Sequence, residues 1–322
     1  MIIVTGGVGF IGSCLISALN DEGIKDILIV DSLGKDEKWK NLIGKNYSDY
    51  QHKSDFLEKI KNNYFDTTKI DAIFHLGACS NTTEQDANYL INNNTLYTKE
   101  LALYAINNNL NFYYASSAAT YGDGKQGYND DESNLNTLKP INMYGYSKHI
   151  FDQWAVSNNW LDKITGFKFF NVFGPNEDHK TGMTSIVYNA YHQIMRTGEM
   201  ILFKSDNSSY KDGEQLRDFI YVKDVIKIML WFLNNPHKKG LYNLGLGTAT
   251  TWKNITEAVF KALNLEPKIK YREMPAILKG KYQYYTQANM KKLKETCPLK
   301  FSSIEDSVKD YVVNYLQPDL KY

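Results

Sequence analysis

Cysteine and histidine are scarce in this chain of 322 residues, which contains three cysteines and six histidines. Cys14, Cys79 and Cys297 are far apart and form no Cys-x-x-Cys pair. A sparse, odd-numbered set of this kind is typical of a reducing compartment and argues against a disulfide framework. The histidines show no metal-ligand spacing, so the sequence predicts no metal site.

The chain also lacks an excess of charge of either sign and lacks a long hydrophobic run. Its formal net charge is +1, which argues against a surface dedicated to nucleic acid or to an anionic membrane. No apolar stretch approaches the roughly 20 residues that a membrane-spanning helix needs. The chain opens on an apolar stretch, residues 1–4, without a basic or cleavage-like segment. We therefore expect a cytoplasmic protein.

Short apolar runs alternate with helical patterns through the first half of the chain. The predicted strands cover residues 1–4, 27–30, 72–76, 112–115 and 166–170, and the predicted helices cover residues 11–22, 87–107 and 144–157. Strands that are apolar along their whole length are typical of a parallel sheet with helices on both faces. The pattern predicts an α/β fold built on a doubly wound parallel sheet.

The second half of the chain is less regular. Helices are predicted over residues 182–197, 222–234 and 251–263, a strand over 241–244 and an exposed loop over 204–216. We predict a cofactor domain over residues 1–172, which residues 235–250 rejoin. Residues 173–322 are expected to form mainly a smaller, substrate-binding domain.

A glycine-rich turn, residues 5–12, follows the first predicted strand and opens the first predicted helix. Gly6, Gly9 and Gly12 are three residues apart. Glycines allow a sharp turn and a close approach of a pyrophosphate to the backbone, and the helix N-terminus favours the anion. Because the spacing lies between a strand and a helix, it predicts a dinucleotide site in a Rossmann-type domain.

An acidic residue, Asp31, ends the second predicted strand, where it would hydrogen-bond the adenosine ribose. On its own Asp31 favours NAD. Lys38 and Lys53 could neutralise a ribose phosphate and so favour NADP, which leaves the choice open. Gly77 and Ala78 leave room for a ligand at the end of another strand.

A tyrosine and a lysine, Tyr144 and Lys148, lie four residues apart in a predicted helix and so share one face. The ammonium can stabilise the phenolate. Tyr144 can then remove a hydroxyl proton as hydride leaves the same carbon. Ser117 follows a predicted strand and can hold the substrate oxygen against Tyr144. These three residues are the candidate catalytic group.

Together with residues 170–175 and 217–225, these motifs resemble the extended short-chain dehydrogenase/reductases, a family of NAD-dependent epimerases and dehydratases. The resemblance covers nearly the whole chain. It implies a Rossmann-type cofactor domain and a C-terminal domain that grips a nucleotide sugar.

More specific segments narrow the resemblance to nucleotide-sugar epimerases of that family. They are residues 77–84, 114–122, 144–148, 174–180 and 278–288. The resemblance implies a redox-neutral isomerase with bound NADP. Its expected reaction converts ADP-D-glycero-D-manno-heptose to the L-glycero epimer by transient oxidation at the sixth heptose carbon, for lipopolysaccharide core precursor synthesis. A homo-oligomer, with a pentamer as one arrangement, is also implied.

The resemblance also assigns roles by position. Because one base on one face cannot easily serve both epimers, a second acid/base is needed, and the resemblance implies Lys180. The residues expected at the cofactor are Gly6, Gly9, Phe10, Ile11, Gly12, Asp31, Ser32, Lys38, Lys53, Leu76, Gly77, Ala78, Cys79, Ser80, Asn93, Lys148, Val172 and Lys180. The residues expected at the substrate are Ser117, Asn171, Gly182, Asn189, Phe203, Lys204, Ser205, Asp206, Arg217 and Tyr282.

Four residues depart from the family pattern. Ser32 stands where Asn is frequent and Leu76 where Glu is frequent. Gly182 and Asn189 stand where Ser and His are familiar substrate contacts. These departures bear on the substrate contacts more than on the reaction class.

Three alternative functions stay open. They are a UDP-hexose 4-epimerase, a net NADP-dependent nucleotide-sugar oxidoreductase and a nucleotide-binding regulatory protein without catalysis. The loop with His179 and Lys180 separates the first of these from a 6-epimerase. Stoichiometric consumption of cofactor would identify the second. The set of Ser117, Tyr144 and Lys148 argues against the third.

Overall fold

The structure is a computed structural model, and it describes residues 1–180, 182–275 and 283–322. The strands within these residues are β1 (Ile2–Thr5), β2 (Ile27–Asp31), β3 (Asp49–His52), β4 (Ala72–His75), β5 (Asn111–Ser117), β6 (Thr165–Phe169), β7 (Asn171–Phe173), β8 (Met200–Phe203), β9 (Leu216–Tyr221), β10 (Gly240–Leu244), β11 (Ala249–Thr251) and β12 (Ile269–Arg272). Seven of them form one sheet in the order β10-β6-β5-β4-β1-β2-β3. Each neighbouring pair in it is parallel. The predicted class, an α/β fold on a Rossmann-type parallel sheet, is confirmed.

The α-helices of the described residues are α1 (Phe10–Asp21), α2 (Lys53–Lys61), α3 (Ala87–Leu90), α4 (Tyr97–Asn107), α5 (Met143–Ser157), α6 (Ile186–Thr197), α7 (Val222–Asn234), α8 (Trp252–Ala262), α9 (Lys291–Thr296) and α10 (Ile304–Tyr311). A π-helical segment, Ile91–Leu96, joins α3 to α4 without a break. A second one, Val312–Leu316, continues α10. No helix in this part of the chain combines the length and the apolar character needed to cross a membrane.

The strands of the main sheet are apolar along their length and polar at their carboxyl ends. All four residues of β1 and of β4 are buried, and the last ones are Thr5 and His75. Asp31 ends β2, and Ser116 and Ser117 end β5. Because the strands are parallel, these polar side chains meet at one edge of the sheet, where open α/β sheets bind ligands.

Two elements of the first half, β3 and α2, escape prediction from the sequence. Strand β3 is at the end of the sheet and has no buried residue. Such an edge strand can be polar, so it leaves no apolar run in the sequence. Helix α2 follows it directly, with only Phe56 and Ile60 buried.

The predicted helix over residues 182–197 is wrong at its start. Helix α6 begins at Ile186, and the Ser185 side chain caps it by accepting a hydrogen bond from the Tyr188 N–H. Gly182 has a φ of +71°, which a right-handed helix does not allow. The polar residues before Ser185 therefore belong to a loop.

The later strands make two smaller sheets and add one strand to the main sheet. Strand β9 pairs in parallel with β7 and antiparallel with β11. Strand β12 pairs with β8. Strand β10 pairs with β6, at the end of the main sheet. The division into a cofactor domain and a substrate domain stays a prediction.

Candidate active site

The glycine-rich turn brings two backbone segments unusually close together. Gly6 has a φ of +67°, and a Cβ there would lie 2.6 Å from the Gly77 nitrogen. A Cβ on Gly12 would lie 2.1 Å from the Gly6 carbonyl oxygen. Only glycine fits at these two positions. Gly9 is the N-cap of α1 and offers no side-chain hydrogen bond. The first amides of α1 are therefore left for an anion such as a pyrophosphate.

At the end of β2, the Asp31 carboxylate organises the next part of the site. One oxygen accepts a hydrogen bond from the Val8 N–H at 2.9 Å. The other accepts from the Ser32 N–H at 2.7 Å and from the Lys38 Nζ at 2.8 Å. Lys53 instead donates to the neutral Asn93 side chain at 2.7 Å. Two cations thus stand at the predicted ribose position.

A cleft of about 610 Å³, here called the main cleft, runs along the carboxyl edge of the sheet. It brings together eighteen predicted residues, which are Gly6, Gly9, Phe10, Ile11, Gly12, Asp31, Lys38, Leu76, Gly77, Ala78, Cys79, Ser80, Ser117, Tyr144, Lys148, Asn171, Val172 and Lys180. A pocket of about 260 Å³, the side pocket, shares part of this wall. It adds the predicted residues Ser32, Lys53 and Asn93.

The candidate catalytic group lies where α5 crosses the end of β5. The Asn142 side chain caps α5 by accepting from the Gly145 N–H at 2.7 Å. A Cβ on Gly145 would lie 2.6 Å from the Ala119 carbonyl oxygen, so glycine allows the helix to approach this closely. The approach brings Tyr144 to Ser117, whose side chain hydrogen-bonds the phenol.

Burial sets the protonation behaviour of the tyrosine and the lysine. Lys148 is 4% exposed, and its Nζ donates to the Ala115 carbonyl at 2.8 Å. Burial lowers the pKa of Lys148 from 10.5 to about 8. Burial also raises the pKa of Tyr144, while the hydrogen bond with Ser117 lowers it. Lys148 and Tyr144 lie one turn apart on α5, and a proton-accepting tyrosine is helped by an ammonium on the same helix face.

The loop before α6 places a second lysine on the main cleft. The Lys180 Nζ lies 5.2 Å from the centre of the Phe10 ring. Burial lowers the pKa of Lys180, and the nearby Glu177 carboxylate opposes that shift. Glu177 is fully buried and accepts hydrogen bonds from Ser185, at 2.5 Å from its N–H and 2.6 Å from its hydroxyl. This carboxylate therefore fastens the Lys180 loop to the start of α6.

Most of the residues predicted at the substrate from the second half of the chain lie outside the two cavities. Those that line neither the main cleft nor the side pocket are Gly182, Asn189, Phe203, Lys204, Ser205, Asp206 and Arg217. Asn189 is exposed, and its amide is bonded to Thr184. Lys204 forms an ion pair with Glu273 at 2.8 Å. Tyr282 lies outside the described residues.

Several residues of the main cleft were missed in the sequence. Phe219 and Trp252 form part of its wall. Their ring centres lie 5.7 Å apart in an edge-to-face arrangement. Met183 and Thr184 line it from the Lys180 loop. The loop residues could have been found through their neighbour Lys180. No spacing in the sequence links Phe219 or Trp252 to the glycine-rich turn.

No cluster of three or more His, Cys, Asp or Glu side chains suited to a metal ion exists among the described residues. The main cleft offers instead glycine amides, a carboxylate with two lysines nearby and a tyrosine–lysine pair. These residues fit a dinucleotide and hydride chemistry.

Comparisons with known proteins agree with this chemistry. Residues 2–245 match the NAD dependent epimerase/dehydratase family. The chain is 49% identical over 317 residues, 98% of each chain, to an ADP-L-glycero-D-manno-heptose-6-epimerase of Nitratidesulfovibrio vulgaris. A protein of the same name from Fusobacterium nucleatum is 47% identical over 334 residues, all of both chains.

Solved structures give the same picture. The Helicobacter pylori ADP-L-glycero-D-manno-heptose-6-epimerase is similar with a TM-score of 0.80 at 27% identity, over 97% of this chain and 95% of the other. A Thermotoga maritima UDP-glucose 4-epimerase also has a TM-score of 0.80, at 24% identity over 99% of both chains, which shows the fold alone. Since the family model and the full-length relatives agree, the chain belongs to the NAD dependent epimerase/dehydratase family and uses a nicotinamide cofactor.

Proposed function

We propose that this chain is an isomerase that converts ADP-D-glycero-D-manno-heptose to ADP-L-glycero-D-manno-heptose, a step in making lipopolysaccharide core precursors. The full-length relatives at 49% and 47% identity carry the name of this activity. The structural observation that carries the proposal is that Lys180 and Tyr144 line one cleft. An epimerase needs a proton acceptor for each of its two epimers, and these residues supply two.

The proposed mechanism divides the work between the cofactor and the chain. A nicotinamide cofactor, held by the glycine-rich turn and by residues 76–80, would supply reversible hydride transfer at the sixth heptose carbon. Tyr144 takes the hydroxyl proton of one epimer, with Ser117 holding the oxygen. Lys148 stabilises the phenolate. Lys180 serves as acid and base for the other epimer.

Burial supports the role of both lysines. An ordinary lysine is protonated at neutral pH and is a poor base. Burial lowers the pKa of Lys180 toward the range in which an amine can exchange a proton. Burial lowers the pKa of Lys148 to about 8, so its ammonium stays mostly charged at pH 7.

We propose NADP as the cofactor. Lys38 forms an ion pair with Asp31 at 2.8 Å and so offsets the carboxylate that would favour NAD. Lys53, in the side pocket, makes no ion pair within the described residues and can contact a ribose phosphate.

Lys53→Met should weaken NADP binding about tenfold and leave NAD binding unchanged, since one charge-assisted hydrogen bond is lost. Lys61→Met, at the exposed end of α2, is the control; equal losses for both cofactors would contradict NADP.

We place the protein in the cytoplasm and expect a homo-oligomer, as the resemblance to the family implies. Size-exclusion chromatography with light scattering tests the oligomer, and a monomer would contradict it. Fractionation of cells tests the location.

The reaction is tested by NMR on purified protein, with ADP-D-glycero-D-manno-heptose and no added cofactor. The configuration at the sixth carbon should change to L-glycero. Tyr144→Phe should slow conversion by about 10²- to 10⁴-fold, because the proton acceptor is lost. Tyr146→Phe is a matched control on the same helix, where the ring is 47% exposed. No conversion, even with NADP or NAD added, would overturn the proposal and favour a UDP-hexose or a net redox substrate.

A further inference from the structure

One turn beyond Lys148, helix α5 carries a fully buried carboxylate, Asp152. Its Oδ1 accepts a hydrogen bond from the Tyr114 hydroxyl at 3.0 Å. Its Oδ2 accepts from the Ser116 hydroxyl at 2.6 Å and from the Lys168 Nζ at 2.7 Å. A buried charge is costly unless it is paired and hydrogen-bonded. The three donors supply this pairing directly beneath the candidate catalytic group.

The partner of this carboxylate, Lys168, comes from β6 and is also fully buried. Its Nζ donates to the Thr120 hydroxyl at 2.7 Å. That hydroxyl in turn donates to the Ser117 carbonyl at 2.8 Å. The ion pair thus connects α5, β6 and the end of β5, the elements around Lys148 and Ser117.

The charge of this pair acts on Lys148, although Lys148 forms no ion pair with Asp152. Its Nζ donates to the Ala115 carbonyl, and no carboxylate of the described residues forms an ion pair with it. The negative charge of Asp152 still favours the ammonium of Lys148. Because Lys168 compensates Asp152, only part of that negative charge acts on Lys148.

We propose that Asp152 and Lys168 form a buried positioning pair that fixes how much negative charge reaches Lys148. The inference rests on the proposed function, in which the Lys148 ammonium stabilises the Tyr144 phenolate. Neither residue of the pair touches the substrate in this mechanism. Both act through Lys148.

Other ionisable groups lie around the pair, among them Tyr121, whose ring centre is 5.0 Å from the Lys168 Nζ, and Asp130, whose pKa Lys168 lowers. Cys79, after β4, favours the ammonium of Lys148, and Lys148 in turn lowers the pKa of His75 at the end of β4. His75 is neutral at working pH because burial lowers its pKa to about 3. His149 on α5 responds to the charges of both Asp152 and Lys168, and Tyr114 on β5 to that of Asp152. Asp152 is thus the carboxylate whose charge favours the Lys148 ammonium, and Lys168 is its ion-pair partner.

The test follows the Lys148 side chain itself, in protein labelled with ¹³C at the lysine Cε. The Lys148 resonance is assigned by its absence in Lys148→Met. Its NMR titration should give a pKa of about 8 in the unaltered protein. Lys168→Met should raise the pKa by about one unit, because an uncompensated carboxylate favours the ammonium. Asp152→Asn should lower it by about one unit.

The proposal predicts that the pKa of Lys148 shifts in opposite directions in Lys168→Met and Asp152→Asn. A merely structural pair would move the resonance in the same direction in both variants or leave the pKa unchanged, and either result overturns the inference. The titration needs no substrate, so its outcome is independent of whether the heptose reaction is correct.

Further variants keep the test decisive if a single charge change prevents folding. Asp152→Asn combined with Lys168→Met removes both buried charges, which proteins tolerate better than one unpaired charge. It should bring the pKa back toward that of the unaltered protein. Ser116→Ala removes one donor to Asp152 without removing a charge and should raise the pKa slightly; no rise would overturn the inference. Lys168→Arg keeps the charge and should restore the original titration.

Discussion

Lys180 differs from a surface lysine because it faces an aromatic ring and a buried carboxylate. Its Nζ lies 5.2 Å from the Phe10 ring centre, and Glu177 provides the nearby charge. In the proposed mechanism Lys180 exchanges a proton with only one of the two epimers. Removing it should therefore block one direction of the chemistry more than the other.

Lys180→Met should slow epimerisation by about 10²- to 10⁴-fold, as loss of a general base does. One epimer should still be oxidised, with Tyr144 as base, and the other should not. The measurement is the ultraviolet absorbance of reduced nicotinamide after each pure epimer is mixed with the variant. Tyr144→Phe should show the opposite preference. Lys35→Met, an exposed lysine outside the cleft, is the control. Equal reduction by both epimers would contradict the role of Lys180.

His75 shows how a buried residue makes stability depend on pH. Its ring nitrogens bond the Thr5 hydroxyl at 2.6 Å and the Thr98 hydroxyl at 2.8 Å. Burial and the positive charge of Lys148 lower its pKa from 6.5 to about 3. Between pH 6.5 and about pH 3, His75 is protonated in the unfolded chain but neutral in the folded chain. The contribution of His75 to the free energy of unfolding therefore falls as the pH falls.

The contribution of His75 to the free energy of unfolding should fall by about 1.4 kcal/mol per pH unit below the ordinary histidine pKa. Urea unfolding at three pH values between 7 and 5, on the unaltered protein and His75→Gln, measures it. In His75→Gln the free energy of unfolding should depend less steeply on pH, because the contribution of His75 is lost. His237→Gln, an exposed histidine, should keep the full slope. The same slope in both variants would contradict a neutral, buried His75.

At the scale of an element, the segment from α3 to α4 connects the cofactor side of the cleft with helix α5. The π-helical turn Ile91–Leu96 includes Asn93, which holds Lys53, and Asn94, which is fully buried. The Asn94 side chain bonds the N–H and the carbonyl of Cys79, both at 2.9 Å, and the Ser147 hydroxyl at 3.0 Å. It therefore ties the cofactor wall to helix α5. A π-helical turn often occurs at such functional positions.

Asn94→Ala should lower the free energy of unfolding by about 4 kcal/mol, since its side chain makes four hydrogen bonds of about 1 kcal/mol each, the fourth from the Asn93 amide. Chemical denaturation measures the loss, and cofactor affinity should weaken with it. Asn92→Ala, on the exposed side of the same turn, should change stability little. A similar loss in both variants would mean that the effect is one of helix propensity.

At the scale of the whole molecule, the main cleft has walls from distant parts of the chain. One wall comes from the segments that follow β1 and β4, at residues 6–12 and 76–81. The other comes from residues 183–186, from Phe219 on β9 and from Trp252 at the start of α8. Most of the residues expected at the cofactor lie on the first wall. We therefore expect the sugar nucleotide to contact the second wall.

Hydrogen exchange followed by mass spectrometry should separate the two walls. NADP alone should slow amide exchange in peptides that cover residues 6–12 and 76–81, because a bound ligand stabilises the segments that it contacts. Adding ADP-heptose should also slow exchange over residues 216–221 and 252–262. Protection of the second wall by NADP alone would contradict this division of the cleft.

The sequence by itself determined the features whose chemistry is local. The spacing of Gly6, Gly9 and Gly12 already specifies the turn between β1 and α1, because only glycine fits at the first and the last of these positions. The four-residue spacing of Tyr144 and Lys148 places both on one face of α5, because the helix period is fixed. The apolar runs predicted six of the seven parallel strands of the main sheet. They missed the polar edge strand β3.

Only the tertiary structure decided what depends on packing between distant segments. It buries Lys148 and so lowers its pKa, and it pairs Asp152 with Lys168 across two elements. It also brings Phe219 and Trp252 to the cleft and starts α6 at Ile186 rather than at Gly182. Burial and long-range contacts leave no periodicity in the sequence, so these features become visible only when the chain is folded.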